Sequence, residues 1–252
     1  MIKQKIHYIL EKAFGQSVTS QPATPVLPPP YDYVQIVTEK YIHKYIGLAN
    51  GELRSWCIVG GFLGSEAQEI LKNYPNAQVT IFECSQRYVG NLTHIYRGKK
   101  NVTIVNKAAS NANGTFTFYE NSADGTGSLL KGGSFLEESY GIKQAESYEI
   151  EAITLDDYYE DQELDVLQID VQGAEKLVLE GATELLKKTK ACFIEISVKP
   201  DLYQDGVTLD ELLIFFKNNG FQLALLGTDF NLTGNALFLN NKYSENVKSK
   251  WQ

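Results

Sequence analysis

Apolar runs and helical patterns alternate along most of this chain, and that alternation constrains its fold more than any other feature. WCIVG is an apolar run followed by GSEAQEILKNY at helical spacing, and QVTIFEC is a strand pattern followed by the helical SQRYVGNLTHIY. NVTIVNKAAS predicts another strand, GTFTFYE a hairpin, and NSADGTGSLLKGGS a polar loop. The theme then resumes with a strand at DVLQIDV, a helix at AEKLVLEGATELLKK, a strand at ACFIEISV and a helix at LDELLIFFKNNG that stops on Gly220. Strand–helix alternation of this kind predicts βαβ units with right-handed crossovers, so an α/β fold around a mostly parallel sheet with helices on both faces. The last two strands, FQLALLGT and NALFLNN, have no helix between them and predict an antiparallel hairpin at one edge.

The start of the chain is organised differently. Ile2, Ile6, Ile9, Leu10, Ala13 and Phe14 recur at helical spacing and predict an amphipathic helix over residues 1–15. Residues 16–30 are polar and proline-rich, which predicts an extended linker. Residues 31–252 then form the main domain, led by a helical pattern from Tyr33 to Tyr45. The first helix is expected to dock on the main domain or a sister subunit. Its alternative, a membrane-surface or partner-docking helix, is disfavoured because three lysines are few for strong attachment.

The net charge is -8, and the Lys and Arg residues are scattered rather than massed. Nucleic acid is therefore not expected as the main partner, since phosphate neutralisation draws on basic patches. No run of about 18 apolar residues is present, so no transmembrane segment is expected. The N-terminus has no apolar stretch of the signal-peptide kind. Cys57, Cys84 and Cys192 sit in strand patterns without a Cys or His at ligand spacing, so they are expected as small core residues. A cytoplasmic, reducing compartment fits this usage.

Ligands of open α/β sheets bind beyond the carboxyl ends of the strands, and the first strand–turn–helix is the usual place. Here that turn is GGFLG, Gly60 to Gly64. Its glycines let the backbone pass close to a ligand, but their spacing fits neither the dinucleotide fingerprint nor a phosphate loop. Glu83, at the end of the second strand, is placed to accept hydrogen bonds from two ribose hydroxyls. A cofactor with a ribose and no phosphate on the turn suits this pair, and S-adenosylmethionine is such a molecule. A nicotinamide enzyme is disfavoured by the glycine spacing.

Several blocks then resemble one family, the FkbM methyltransferases. I-V-G-G-F-L-G, Ile58 to Gly64, is similar to that family's D-V-G-A-N-x-G, and F-E-C, Phe82 to Cys84, to its F-E-P. VNKAASNANGTFTFY is similar to its N-x-A-x-S-x-x-x-G-x-x-x-F stretch. Q-I-D-V-Q-G-A-E, Gln168 to Glu175, resembles K-I-D-V-E-G-A-E, and VLEGATELL and IEIS follow. The resemblance runs from about Leu53 to Leu239. It implies a Rossmann-like class I methyltransferase fold with a seven-stranded sheet. It also implies O-methylation of a hydroxyl, often on a sugar or secondary metabolite, with S-adenosylmethionine as donor. Carried onto this chain, the motifs suggest Gly60, Gly61, Phe62, Gly64, Glu83, Cys84, Asn106 and Ala108 as cofactor contacts.

The departures are equally specific. Ile58 stands where such methyltransferases usually have an acid, Phe62 where the family has Asn, and Gln168 and Gln172 where it has Lys and Glu. Ile58→Asp is expected to tighten cofactor binding where the surroundings suit a carboxylate. In a strand, residues 168, 170 and 172 point to the same side, leaving Asp170 as the only charge on that face. A base must sit near the transferred methyl group, and Asp170 and Glu195, at the ends of adjacent strands, are the candidates. His43 and His94 are expected on helix surfaces. A divalent ion held by Asp170 and Glu195 is the alternative, but the sequence offers it no further ligands, so no metal ligands are assigned. The alternative to an enzyme is a catalytically silent relative that keeps the fold as a binding or assembly module.

Overall fold

The computed structural model describes residues 53–199, 201–228 and 233–244. The N-terminal helix, the proline-rich linker and the Tyr33–Tyr45 pattern lie outside them. The first half of the sheet is built from β1 (Ser55–Val59), α1 (Ser65–Asn73), β2 (Gln78–Phe82), α2 (Val89–Ile95) and β3 (Val102–Val105). After β4 (Ala108–Ala109) and β5 (Gly114–Asn121) come α3 (Ser134–Tyr140), β6 (Gln144–Ile153) and α4 (Leu155–Tyr159). The chain then returns through β7 (Leu164–Ile169), α5 (Glu175–Glu180), α6 (Thr183–Leu186) and β8 (Thr189–Ser197). It closes with α7 (Leu209–Asn218), β9 (Phe221–Thr228), β10 (Thr233–Asn240) and the short α8 (Asn241–Ser244).

Seven strands form one sheet in the order β3-β2-β1-β7-β8-β10-β9. The pairs β1–β2, β2–β3, β1–β7 and β7–β8 are parallel, while β10 runs antiparallel to both β8 and β9. The expected edge hairpin is therefore present, and strand order reverses between β1 and β7. That reversal opens the crevice where such sheets bind ligands.

Every residue of β7 is buried, as a central strand covered on both faces requires. Cys57, Val59, Leu167, Ile169 and Ile194 point into one apolar layer together with Leu155, Val178, Leu212 and Phe216. Trp56, Ile58, Ile81 and Phe193 point into the other, against Ala67, Ile70 and Leu92. Asp165 ties the strand starts together. Its Oδ2 accepts from the N–H groups of Arg54 and Ser55 at 2.6 and 3.0 Å, and Lys190 Nζ lies 2.6 Å from its Oδ1.

Three local expectations are corrected. The segment around GTFTFYE is one arm of a separate three-stranded sheet, β4-β6-β5, whose antiparallel partner β6 lies beyond a long connection. NVTIVNKAAS is broken, with β3 in the large sheet and β4 in the small one. The helix expected over AEKLVLEGATELLKK divides at Gly181, where the chain passes so close to Ser110 that a Cβ would lie 1.9 Å from its carbonyl oxygen. Among the described residues no helix is long and apolar enough to cross a membrane.

Ile58 lies in register with Ile81 on one side and Gln168 on the other, and is 2 % exposed within the apolar layer. These surroundings do not suit a carboxylate. A charge here would be buried with one neutral amide beside it, and an uncompensated buried charge costs about 3–5 kcal/mol. Ile58→Asp is expected to lower the melting temperature steeply and to leave cofactor affinity no tighter; an unchanged melting temperature would contradict this packing.

Candidate active site

At the carboxyl ends of β1, β2 and β7 the chain encloses a cleft of about 290 Å³. Its floor is the turn after β1. Gly60 has φ 92°, and a Cβ on it would lie 1.8 Å from the Asp170 carbonyl oxygen, so no side chain fits. The ladder reaches the site itself, with the Asp170 N–H donating to the Val59 carbonyl at 2.9 Å.

Glu83 lies just past β2, 7 % exposed, and lines the cleft. Its Oε2 accepts the Phe62 N–H at 2.8 Å and its Oε1 the Ser85 N–H at 2.7 Å. Burial pushes its carboxyl up from the ordinary value, against the lowering effect of these two donors. Each oxygen retains a lone pair for a ligand.

Of the residues expected to touch a cofactor, Gly60, Phe62, Glu83, Cys84 and Ala108 line the cleft. Gly61, Gly64 and Asn106 do not. Gly61 faces Ile81 and Leu92, and Gly64, at φ 79°, precedes α1 beneath Leu92 and Tyr96, whose hydroxyl donates to its carbonyl at 2.6 Å. These two glycines shape the turn from behind. Asn106 is exposed beyond β3. Cys57 and Cys192 are core residues, whereas Cys84 is half-buried at the cleft wall. His94 is exposed on α2.

The far wall comes from the small sheet and its connection, which the strand pattern of the chain does not announce. Glu120 on β5 is 2 % exposed, accepts from the Tyr148 hydroxyl at 2.8 Å, and bonds the Ser85 hydroxyl. The loop after β5 folds back over the cleft. Ser128 and Tyr119 exchange backbone hydrogen bonds at 2.8 and 3.0 Å, and Ser128 Oγ donates to the Val171 carbonyl at 3.2 Å. The Tyr88 hydroxyl donates to Asp124 and accepts from the Gly125 N–H, while the Phe62 ring meets the Tyr88 ring edge-on at 4.7 Å. Carboxylates dominate the lining: Glu66, Glu83, Glu120, Asp124 and Asp170, against the single cation Lys107.

The strand does not continue through the Asp170 region, so residues 168, 170 and 172 share no strand face. β7 ends at Ile169, and Gln172 has φ 57°, a left-handed turn. Gln168 stays behind in the apolar layer, where its Oε1 has no hydrogen-bond partner among the described residues. Gln172 instead folds back. Its Nε2 donates to Asp170 Oδ1 at 2.9 Å and to Glu195 Oε2 at 2.8 Å. Asp170 is exposed to the cleft, whereas Glu195 stands behind it and is no part of the lining. Burial, then the charges of Asp170 and Glu175, push the Glu195 carboxyl well above the usual range.

Glu175, at the start of α5, is 2 % exposed, and its Oε1 accepts the N–H groups of Val171 and Gly173 at 3.2 and 3.1 Å. Burial raises it to about 7. A folded-state value above the ordinary 4.5 means that the folded protein holds this proton more tightly. The stability it lends is complete below 4.5, declines above it, and is lost as pH rises through about 7. Glu175→Gln keeps an oxygen for both N–H groups and removes the titration. Above pH 7 the variant should gain on the order of 3 kcal/mol relative to the parent, compared with the difference at pH 4.5. Melting curves whose difference is independent of pH would show that Glu175 titrates normally.

The chain is 28% identical over 160 residues to the 2-O-methyltransferase NoeI of Sinorhizobium fredii (strain NBRC 101917 / NGR234), a match covering 60% of this chain and 65% of that protein. It resembles the METTL16 methyltransferase domain with a TM-score of 0.49 and 11% identity, over 95% of this chain and 79% of that one. Against Aeropyrum pernix fibrillarin in complex with S-adenosyl-L-methionine the TM-score is 0.41 at 12% identity, over 75% of this chain and 68% of that one. The Methyltransferase FkbM domain matches residues 66–223, more than half of the chain, and the protein belongs to that family of methyltransferases.

Proposed function

We propose that this protein transfers a methyl group from S-adenosylmethionine to a hydroxyl of a sugar or secondary-metabolite-type small molecule. The observation that carries the reading is the acidic cleft on the Gly60 turn, with Glu83 buried at its edge. The donor set fits the cofactor. A sulfonium is a cation, and the lining offers it five carboxylates against one lysine. Glu83 would hold the ribose hydroxyls with its remaining lone pairs, and Gly60, Phe62, Cys84 and Ala108 would line its path. When bound, the cofactor supplies an electrophilic methyl group.

The protein's part is alignment and proton removal. Asp170 is the cleft carboxylate at the end of the central strand, and it would orient the acceptor hydroxyl and take its proton. Glu120 and Asp124, with the Tyr88 and Phe118 rings, offer the hydrogen-bond acceptors and apolar faces that a polyhydroxy acceptor needs. The name of the Sinorhizobium relative, a 2-O-methyltransferase, supports oxygen as the target. A silent binding module is the weaker reading. Two of the four departures behind it, Ile58 and Gln168, face the apolar layer rather than the cleft.

Calorimetry with S-adenosylhomocysteine tests the cofactor assignment. Losing a charge-assisted hydrogen bond costs about 1.5–3 kcal/mol, so Glu83→Ala should weaken binding roughly ten- to a hundredfold. Unchanged affinity would place the ribose elsewhere, and no binding by the parent protein would favour the silent module. Asp170→Asn keeps the shape and removes the base. Turnover should fall about a hundred- to ten-thousandfold with cofactor affinity nearly intact, and full turnover would remove Asp170 from the role.

A further inference from the structure

Gln172 is where the cleft meets a polar cluster behind it. Its amide nitrogen carries two protons and has two carboxyl partners, Asp170 Oδ1 at 2.9 Å and Glu195 Oε2 at 2.8 Å. Its Oε1 lies 2.9 Å from the Tyr203 hydroxyl, which also lies 3.0 Å from the Thr126 carbonyl. The opposite amide orientation would set an oxygen against two carboxyls. Tyr203 is itself held in place: it is 3 % exposed and packs on Gly173, where a Cβ would lie 2.7 Å from it. The left-handed backbone at Gln172, φ 57°, is what returns the side chain over the end of its own strand.

We propose that Gln172 is a positioning residue for methyl transfer: its amide, with Tyr203 at the carbonyl end, clamps the Asp170 and Glu195 carboxyls and leaves the second Asp170 oxygen for the acceptor. The inference rests on the reading of the cleft as a methyl-transfer site with Asp170 as its base. Beyond the clamp, Glu175 from α5, Tyr203 from the segment before α7 and Thr233 from β10 face this pair. Among the described residues none of the three carboxyls forms an ion pair. The amide is therefore one donor that steadies a charge on Asp170, beside the Glu195 carboxyl, which burial pushes toward its protonated form and which hydrogen-bonds Asp170. Donation to the charged form of an acid favours that form, and a like charge beside it disfavours it.

Carboxyl carbon NMR of the full chain, labelled at Asp and Glu, follows the Asp170 titration without needing an acceptor, and Asp170→Asn assigns the signal. Gln172→Ala removes the donor and Gln172→Glu sets a third carboxyl against the pair. Both should move the Asp170 midpoint upward, the second by about one pH unit or more. A merely structural role would lower the melting temperature without moving that midpoint. Midpoints that stay at the parent value in both variants overturn the clamp. If neither variant folds, Tyr203→Phe decides. It frees the carbonyl end of the amide, so an upward shift supports the clamp and an unmoved midpoint overturns it. S-adenosylhomocysteine binding by the same proteins is read separately. Its absence from the parent would sink the methyl-transfer reading, whereas binding together with an unmoved Asp170 would sink the clamp alone.

Discussion

The site depends on one backbone contact, the approach of the turn after β1 to the end of β7. Gly60 donates its N–H to the Phe82 carbonyl at 3.0 Å, and the Asp170 carbonyl occupies the place where its Cβ would be. No other residue type allows that distance together with φ 92°. The consequence is geometric: three strand ends, those of β1, β2 and β7, reach one level, and Glu83 and Asp170 emerge on the same cleft. The tight start of the same strands, where Asp165 draws in Arg54, Ser55 and Lys190, fixes the opposite end of the layer. The register between β1 and β7 is thus held at both ends.

Strand-end logic made part of this site legible in the sequence. Glu83 and Asp170 each follow an apolar run with a clear period, so their emergence at the carboxyl edge could be read directly. Gly61 and Gly64 illustrate the limit of that logic. A glycine-rich motif marks where the chain turns, but it does not say which glycine faces a ligand and which packs on Leu92 and Tyr96. Asn106 shows the same limit, since it is exposed beyond β3 while its neighbours Lys107 and Ala108 line the cleft.

The far wall was illegible for a different physical reason. β6, QAESYEIEAI, is exposed over its first half; Tyr148, Ile150 and Ala152 do alternate with Glu149 and Glu151, but that short signal marks a strand without saying which strand it pairs with. Without that pairing there is no way to foresee that β5 folds over the sheet and buries Glu120 beside Ser85. The loop after β5 is polar and looks unstructured by composition. It is ordered by hydrogen bonds from Asn121, Tyr203 and Ser128 to or from backbone groups, none of which leaves a periodic trace. The extrapolation of β7 through Gln172 failed because a left-handed residue ends the strand, and glutamine is not a usual marker of that conformation.

Those left-handed residues also explain how a cleft this acidic stays folded. Glu83 and Glu175 are almost fully buried without a cation beside them, which is costly unless donors replace the lost water. Phe62 at φ 43° presents its N–H to Glu83, and Gly173 at φ 93°, next to Gln172 at 57°, presents its N–H to Glu175. Holding a non-glycine residue in this region costs about 1–3 kcal/mol. A hydrogen bond to a charged acceptor returns about 1.5–3 kcal/mol, so the exchange is close to even while pointing peptide dipoles at the carboxylates. For Glu83 and Glu175, backbone dipoles do what a lysine would otherwise do. The other side of the cleft is held differently, with Arg87 pairing Asp124 at 3.3 Å and Glu120 at 4.0 Å, so the charge left without a cation partner is concentrated near the Gly60 turn.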